Sequence, residues 1–312
     1  MARMYQAKRI SHSEFVPIRH NNYHVRVWGK PNPDVAPLVL VHGWMDVAAS
    51  YQFLVDALSD DFASQRQIIA PDWRGYGLTT APQVDNYWNQ DYLADLDFLI
   101  DHYSPNQAVD LVGHSMGGGI VMQYGGVRPA RIRRLINLEG FGGPAGRATN
   151  APKRIATWLD DLKAMSRGDI KLKTYAGAAD VAQRLMKTNP RLARDQAGRD
   201  RAEWLSYHWS AENANGQWEI LGDAAHKISG PLLVRLEEVL ALYAAITAPT
   251  LVVIASDDSL TGWFGGKFTQ ADFDERLKSV PNLQRGRIED AGHMLHHDQP
   301  AQLARMIEDF VA

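Results

Sequence analysis

The chain has 312 residues, 45% of them hydrophobic and 22% charged, with a formal net charge of −3 at pH 7. This composition is typical of a soluble globular protein, and so small a net charge gives no reason to expect a nucleic-acid or anionic-membrane partner. Cysteine is absent, which excludes disulfides, thiolate metal sites and cysteine nucleophiles. The sequence has neither a signal-peptide pattern nor an apolar run of membrane-spanning length, so we expect a cytoplasmic protein.

Short apolar runs and helical patterns alternate along the first part of the chain. Strand-like runs at 13–18 and 23–28 flank a polar turn and predict an antiparallel hairpin. A continuous apolar run follows at 38–41, and further predicted strands lie at 68–70, 109–112 and 134–139, each after a helical pattern or a loop. Such runs are typical of a parallel sheet covered on both faces, so the sequence predicts an α/β fold.

The alternation stops near residue 142 and resumes with an apolar run at 249–255. Between them lie helical patterns at 151–166, 178–188, 200–210 and 231–246, without a clear strand. We therefore predict a core in two parts, 1–141 and 248–312, with an all-helical cap at 142–247 inserted before the last two strands. The aromatic residues of this cap that are candidate substrate contacts are Trp158, Trp204, Tyr207 and Trp209.

The most informative stretch joins the apolar run 109–112 to a helical pattern through Gly113-His114-Ser115-Met116-Gly117. This is the Gly-x-Ser-x-Gly pattern of a nucleophile elbow, a tight strand–turn–helix connection that exposes a serine hydroxyl at a helix N-terminus. A serine hydroxyl is a weak nucleophile at neutral pH and needs a base to accept its proton. His293 and Asp258 each follow a later predicted strand, at the edge where α/β sheets bind ligands.

The chain resembles the α/β-hydrolase family, and within it the serine hydrolase-like branch with a helical cap. The stretches that carry the resemblance are His42-Gly43, Asp72-x-Arg74-Gly75-x-Gly77, the elbow, the Asp258 turn and Ala291-Gly292-His293. The resemblance implies Ser115 as nucleophile, His293 as base and Asp258 as the acid that orients the imidazole. It also implies an oxyanion hole formed by the backbone N–H groups of Met116 and Trp44.

Two other carboxylates compete for the role of orienting acid. Asp257 adjoins Asp258, and Glu139 ends the strand after the nucleophile helix, where some relatives carry their acid. His42 and Phe141 are further candidate substrate contacts. We expect a solvated or capping role for His296 and His297, no metal site and no cofactor.

These residues predict a hydrolase that cleaves a small carboxylic ester through an acyl-enzyme. Its partner would be a small-molecule substrate, and the sequence indicates no particular oligomeric state. Two alternatives stay open on the same fold: a cofactor-independent dioxygenase of N-heteroaromatic substrates, which would use a histidine and a post-strand acid such as Glu139, and a ligand-binding receptor.

Overall fold

A computed structural model describes residues 4–312 and contains one large sheet and one small sheet. The strands, in chain order, are β1 (His12–Ile18), β2 (Asn21–Trp28), β3 (Leu38–Val41), β4 (Ile68–Pro71), β5 (Val109–His114), β6 (Ile132–Leu138), β7 (Thr174–Tyr175), β8 (Ser210–Glu212), β9 (Trp218–Ile220), β10 (Thr250–Ala255) and β11 (Leu283–Ile288).

Helices cover the large sheet and form most of the cap. In chain order they are α1 (Gln52–Ala57), α2 (Asp60–Ser64), α3 (Asn89–Tyr103), α4 (Met116–Val127), α5 (Ala151–Ser166), α6 (Ala178–Thr188), α7 (Gln196–Trp209), α8 (Leu236–Ala244), α9 (Ser259–Phe264), α10 (Gln270–Leu277), α11 (Leu295–Asp298) and α12 (Pro300–Val311). No helix within residues 4–312 has the length and apolar character needed to cross a bilayer.

The large sheet has eight strands in the order β1-β2-β4-β3-β5-β6-β10-β11. β2 pairs antiparallel with β1 and with β4, and the other neighbouring strands are parallel. This arrangement confirms the predicted α/β fold with its N-terminal antiparallel hairpin. The carboxyl ends of β3, β5, β6 and β10 meet at one edge of the sheet.

Alternate side chains of each central strand enter two different core layers. In β3, Val39 and Val41 pack in the layer that contains α3 and α4, whereas Leu38 and Leu40 pack in the layer that contains α1 and α12. Because successive strand residues point to opposite faces, a strand with helices on both sides must be apolar throughout. All four residues of β3 are buried, as the uninterrupted apolar run predicted.

The segment between β6 and β10 forms the cap, with α5 and α6 at the predicted positions. The prediction that the cap is all-helical is wrong, because β7, β9 and β8 form an antiparallel sheet there. These strands are only two or three residues long, too short to produce a recognisable alternation. The cap packs onto the core through a third apolar cluster, in which Val47 and Phe53 of the core contact the layer of Val181, Leu205 and Trp209.

Candidate active site

Ser115 lies in the tight turn between the central strand β5 and helix α4, with a backbone φ of 54°. A non-glycine residue in this region of backbone space is strained, and such strain is concentrated at functional sites. The turn is possible because side chains are missing at its neighbours. A Cβ at Gly113 would collide with the Gly117 backbone, and one at Gly117 would collide with the Val41 and His42 carbonyl oxygens.

Two backbone N–H groups beside Ser115 are free to bind an anion. Within residues 4–312, the N–H groups of Met116 and Trp44 donate to no acceptor. Met116 begins α4, where unpaired N–H groups and the helix dipole favour negative charge. The loop that carries Trp44 passes close to the nucleophile, since a Cβ at Gly43 would lie 2.9 Å from Cβ of Ser115.

The imidazole of His293 faces the carboxylate of Glu139. Nδ1 of His293 lies 3.2 Å from Oε2 of Glu139, and the other carboxylate oxygen accepts a 2.7 Å hydrogen bond from the backbone N–H of Ala255. Glu139 also has a positive φ, 55°, at the end of β6. Its side chain is almost fully buried. The carboxylate is therefore fixed in position and directed at the ring of His293.

Burial moves the pKa values of these two groups in opposite directions. It lowers the pKa of His293 to about 3, which keeps the imidazole neutral, as a general base requires. It raises the pKa of Glu139 to about 7, against a lowering by the hydrogen bond from Ala255. Both shifts have desolvation as their main cause. A carboxyl group with so high a pKa beside a neutral imidazole is the kind of perturbed pair that is concentrated at functional sites.

Ser115 and His293 line one cavity of about 520 Å³ between the sheet and the cap. No direct hydrogen bond joins the serine hydroxyl to the imidazole in the structure. Contacts of this kind often tighten only when substrate binds. Cap residues also line this cavity, so Ser115 and His293 lie between the core and the cap; these residues are Arg184, Leu185, Thr188, Asn189, Pro190, Arg191, Leu192 and Trp209.

A second cavity of about 540 Å³ reaches Ser115 from the other side. Met116, Phe141 and Tyr243 line it, so Phe141, a candidate substrate contact in the sequence, shares a cavity with Ser115. Trp263 of α9 lines both cavities, and its ring meets His293 edge-on at 4.1 Å between ring centres. Sequence reasoning missed Trp263, since one aromatic residue in a short helix carries no pattern.

A sequence profile for the alpha/beta hydrolase fold matches residues 36–300. The chain belongs to the α/β-hydrolase family. This result confirms the predicted family and its serine hydrolase-like resemblance: the chain is 23% identical over 308 residues to a serine hydrolase-like protein of Danio rerio, an alignment that covers 96% of this chain and 88% of the relative.

Solved structures of other α/β-hydrolases share the fold. The thioesterase domain from the curacin biosynthetic pathway superposes with a TM-score of 0.79 at 23% identity, covering 96% of this chain and 99% of that domain. E-2-(acetamidomethylene)succinate hydrolase superposes with a TM-score of 0.71 at 20% identity, covering 97% of this chain and 99% of that enzyme. At these identities the likeness establishes the fold.

The prediction that Asp258 lies against His293 is wrong in this α/β-hydrolase. The Asp258 side chain is exposed and turns onto its own helix, where it accepts a 3.0 Å hydrogen bond from the N–H of Thr261 at the start of α9. Asp257 instead pairs with Arg191 of the cap, with N–O distances of 2.6 and 3.0 Å. Glu139, the weaker candidate in the sequence, is the carboxylate at the imidazole.

Of the four aromatic residues proposed from the cap, only Trp209 lines the cavity at Ser115 and His293. Trp158 donates a hydrogen bond to Asn86, Trp204 packs against Phe53, and Tyr207 is half-exposed. None of these three lines either cavity at Ser115.

His42 also lies outside both cavities. It is fully buried, and its Nε2 accepts a 2.9 Å hydrogen bond from the backbone N–H of Trp73. It therefore holds the Gly43 and Trp73 segments together and lines neither cavity.

A buried histidine cluster lies beneath the site. His296 and His297, expected to be solvated, are almost completely buried, and the His296 ring lies 4.5 Å from the His114 ring. Short helix α11 turns both side chains inward, because it follows His293 directly and packs against α1. One ligand atom each of Asp46, His114 and His296 lies within 4.8 Å of the other two.

Proposed function

We propose that this chain is a serine hydrolase that cleaves a small carboxylic ester through an acyl-enzyme. Ser115 Oγ attacks the ester carbonyl carbon while His293 takes the hydroxyl proton. The tetrahedral intermediate collapses, the proton passes from His293 to the alkoxy oxygen, and the alcohol leaves. Water then attacks the acyl-enzyme with His293 again accepting a proton, and the acid is released with Ser115 restored.

The observation that carries this proposal is the pairing of Glu139 with His293 beside the strained Ser115 elbow. A carboxylate at Nδ1 holds the proton on that nitrogen, which leaves the lone pair of Nε2 free to accept the serine proton. The same carboxylate stabilises the imidazolium that forms during attack. Because the Glu139 backbone is constrained and its side chain buried, little reorganisation is needed when that charge appears.

The N–H groups of Met116 and Trp44 are proposed to bind the oxyanion. Both lie beside Ser115 and have no protein acceptor within residues 4–312. Removing one such donor typically raises the barrier by about 3 kcal/mol. The start of α4 adds its dipole at the same point.

The two cavities that meet at Ser115 support a substrate with a group on each side of the scissile bond. Each has the volume of a small-molecule site, about 520 and about 540 Å³. The second one is lined mainly by apolar side chains, among them Phe141, Leu233 and Tyr243. We therefore propose short-to-medium acyl or aryl esters as the substrate class.

The test is a panel of p-nitrophenyl and aryl esters of increasing acyl length, assayed on wild type and on Ser115→Ala. Wild type is expected to hydrolyse short and medium members, with an acyl adduct on the Ser115 peptide trapped at low pH and detected by mass spectrometry. Ser115→Ala should lose both turnover and adduct. Turnover that survives in Ser115→Ala would reject the proposal.

One observation favours a second function, a cofactor-independent dioxygenase. The His293–Glu139 pair is the histidine and post-strand acid that such an enzyme would use to deprotonate an N-heteroaromatic substrate. Oxygen uptake with 3-hydroxy-4-quinolone-type substrates distinguishes the two. Uptake by both wild type and Ser115→Ala would identify a dioxygenase, and no uptake would leave the hydrolase.

A further inference from the structure

The buried histidine cluster beneath Ser115 contains polar atoms that have no hydrogen-bond partner in the described part of the chain. The proposed reaction does not involve these atoms. His114 Nε2 lies 2.8 Å from the carbonyl oxygen of His293, which can only accept, so Nε2 must donate. The lone pair of the neutral ring therefore lies on Nδ1, and this buried atom has no partner within the described part of the chain. Burial lowers the pKa of His114 well below its usual value, which keeps the ring neutral.

Asp46 presents a second unpaired acceptor to the same space. One carboxylate oxygen, Oδ1, accepts from the Val47 N–H at 2.9 Å, from the Trp209 indole at 2.9 Å and from the Ser50 hydroxyl. The other oxygen, Oδ2, is buried and has no hydrogen-bond partner within residues 4–312. No lysine or arginine of those residues lies within 4.0 Å of this carboxylate, although a buried carboxylate normally has a cationic partner.

His296 completes the group. Both of its ring nitrogens are buried without a partner in the described chain, and Nε2 lies 3.9 Å from Asp46 Oδ2, too far for a hydrogen bond. Asp46, His114 and His296 thus each offer one ligand atom within 4.8 Å of the other two. A cation at their centre would satisfy all three and neutralise the carboxylate.

We infer that Asp46, His114 and His296 form a binding site for a divalent transition-metal ion of the Zn²⁺ class. Two imidazoles and one carboxylate are a ligand set typical of such ions, which accept water in a remaining position. Asp46 and His114 line the 520 Å³ cavity, which gives the ion a route from solvent. The three ligand atoms lie within 4.8 Å of one another, whereas tetrahedral binding at roughly 2.0–2.2 Å needs shorter separations, so binding would draw the side chains together by about 1 Å.

The site would link three segments that carry the proposed machinery. Asp46 is on the loop of Trp44, His114 directly precedes Ser115, and His296 follows His293 in the chain. An ion held by all three would fix these segments relative to one another. We therefore expect metal binding to raise the thermal denaturation midpoint of the protein.

Isothermal titration of the full chain, freed of metal by EDTA and dialysed, with ZnCl2 tests the site. We expect saturable binding of one Zn²⁺ per chain and a higher denaturation midpoint. Asp46→Asn should keep the Oδ1 hydrogen bonds while replacing the ligand oxygen by an amide nitrogen, and should weaken binding by at least about 100-fold. His296→Gln should weaken it similarly, and the exposed-histidine control His102→Gln should bind as wild type does.

A crystal soaked in ZnCl2 gives a second readout that does not depend on how the variants fold. An anomalous peak among Asp46, His114 and His296 would support the site. An ordered water alone at that position, or Zn²⁺ binding that is lost in His102→Gln and kept in Asp46→Asn and His296→Gln, would overturn it.

Discussion

The neighbouring strands β6 and β10 are each followed by carboxylates at the same edge of the sheet, and these carboxylates have different partners. Glu139 follows β6, is 2% exposed and is directed at His293. Asp257 and Asp258 follow β10, are exposed, and bind Arg191 of the cap and the N-terminus of α9. From the sequence alone, a carboxylate at either strand end could be the acid that orients the imidazole. Burial and side-chain direction, and not position after a strand, therefore decide which carboxylate faces the imidazole.

The two strand ends also differ in proton affinity. Burial raises the pKa of Glu139 to about 7, whereas hydrogen bonds lower the pKa values of the other two, from the Thr261 side chain for Asp258 and from Arg191 for Asp257. Asp257 and Asp258 are therefore stable anions with structural partners. Glu139 is a carboxylate held in an unfavourable environment, which an imidazolium at His293 would relieve.

The largest expected effect comes from exchanging the Glu139 carboxylate for an amide. In Glu139→Gln the side-chain NH2 would donate to His293 Nδ1, which would move the imidazole proton to Nε2 and leave no base for Ser115. We expect kcat for an ester substrate to fall by about 10³–10⁴-fold. The matched control is Asp258→Asn, for which kcat should stay close to that of wild type. Equal losses in the two variants would remove the distinction between the strand ends.

The same substitution should stabilise the protein at alkaline pH. Because the folded state holds the Glu139 proton up to about pH 7 and the unfolded state releases it near its usual value, wild-type stability falls as pH rises through this interval. Glu139→Gln has no such loss. Urea unfolding at pH 8 should therefore show it to be more stable than wild type by about 2–4 kcal/mol, with a much smaller difference at pH 5. If Glu139→Gln were less stable than wild type at pH 8, the result would contradict the conclusion that burial destabilises the ionised Glu139 side chain.

The pH profile of kcat/KM should report the Glu139–His293 pair. Activity requires ionised Glu139 with neutral His293, so kcat/KM should rise with pH and level off above about 7. The negative charges of Asp258 and Asp257 raise the Glu139 pKa further. Asp258→Asn should therefore move the midpoint to slightly lower pH. A midpoint near that of an ordinary carboxyl group would contradict the assignment.

The smallest expected effect concerns stability at the β10 end. Asp258→Ala removes the side chain that caps α9 and should lower the free energy of unfolding by about 1 kcal/mol, measured by urea denaturation. Ester turnover should change little. Replacing Asp258 by Ser, which can also cap a helix, is the control and should restore most of the stability.

Local sequence predicted the parts of this site that depend on local geometry. The Ser115 elbow requires glycine at positions 113 and 117, close to the serine in sequence, so its position could be read directly from the sequence. The helical patterns of α5 and α6 are also local, and they predicted those helices correctly. The acid could not be chosen this way. Whether Glu139 or Asp258 faces His293 depends on side-chain directions at two strand ends more than 100 residues apart in sequence, and on Asp258 finding a closer partner in Thr261.

Contacts between distant segments account for the other omissions. Trp263 reaches His293 only because α9 folds back over the sheet edge, and His296 is buried only because α11 packs inward. In the cap, β7 pairs with β9 across more than 40 residues, between Tyr175 and Trp218, and no local pattern encodes this pairing.

The central claim is that Ser115 is activated by His293 and Glu139. The most direct test is the rate at which a fluorophosphonate labels Ser115, followed by mass spectrometry in wild type, Glu139→Gln and Asp258→Asn. We predict that wild type and Asp258→Asn are labelled at Ser115 at similar rates and that Glu139→Gln is labelled at least about 100-fold more slowly. Rapid labelling of Glu139→Gln together with slow labelling of Asp258→Asn would contradict the account.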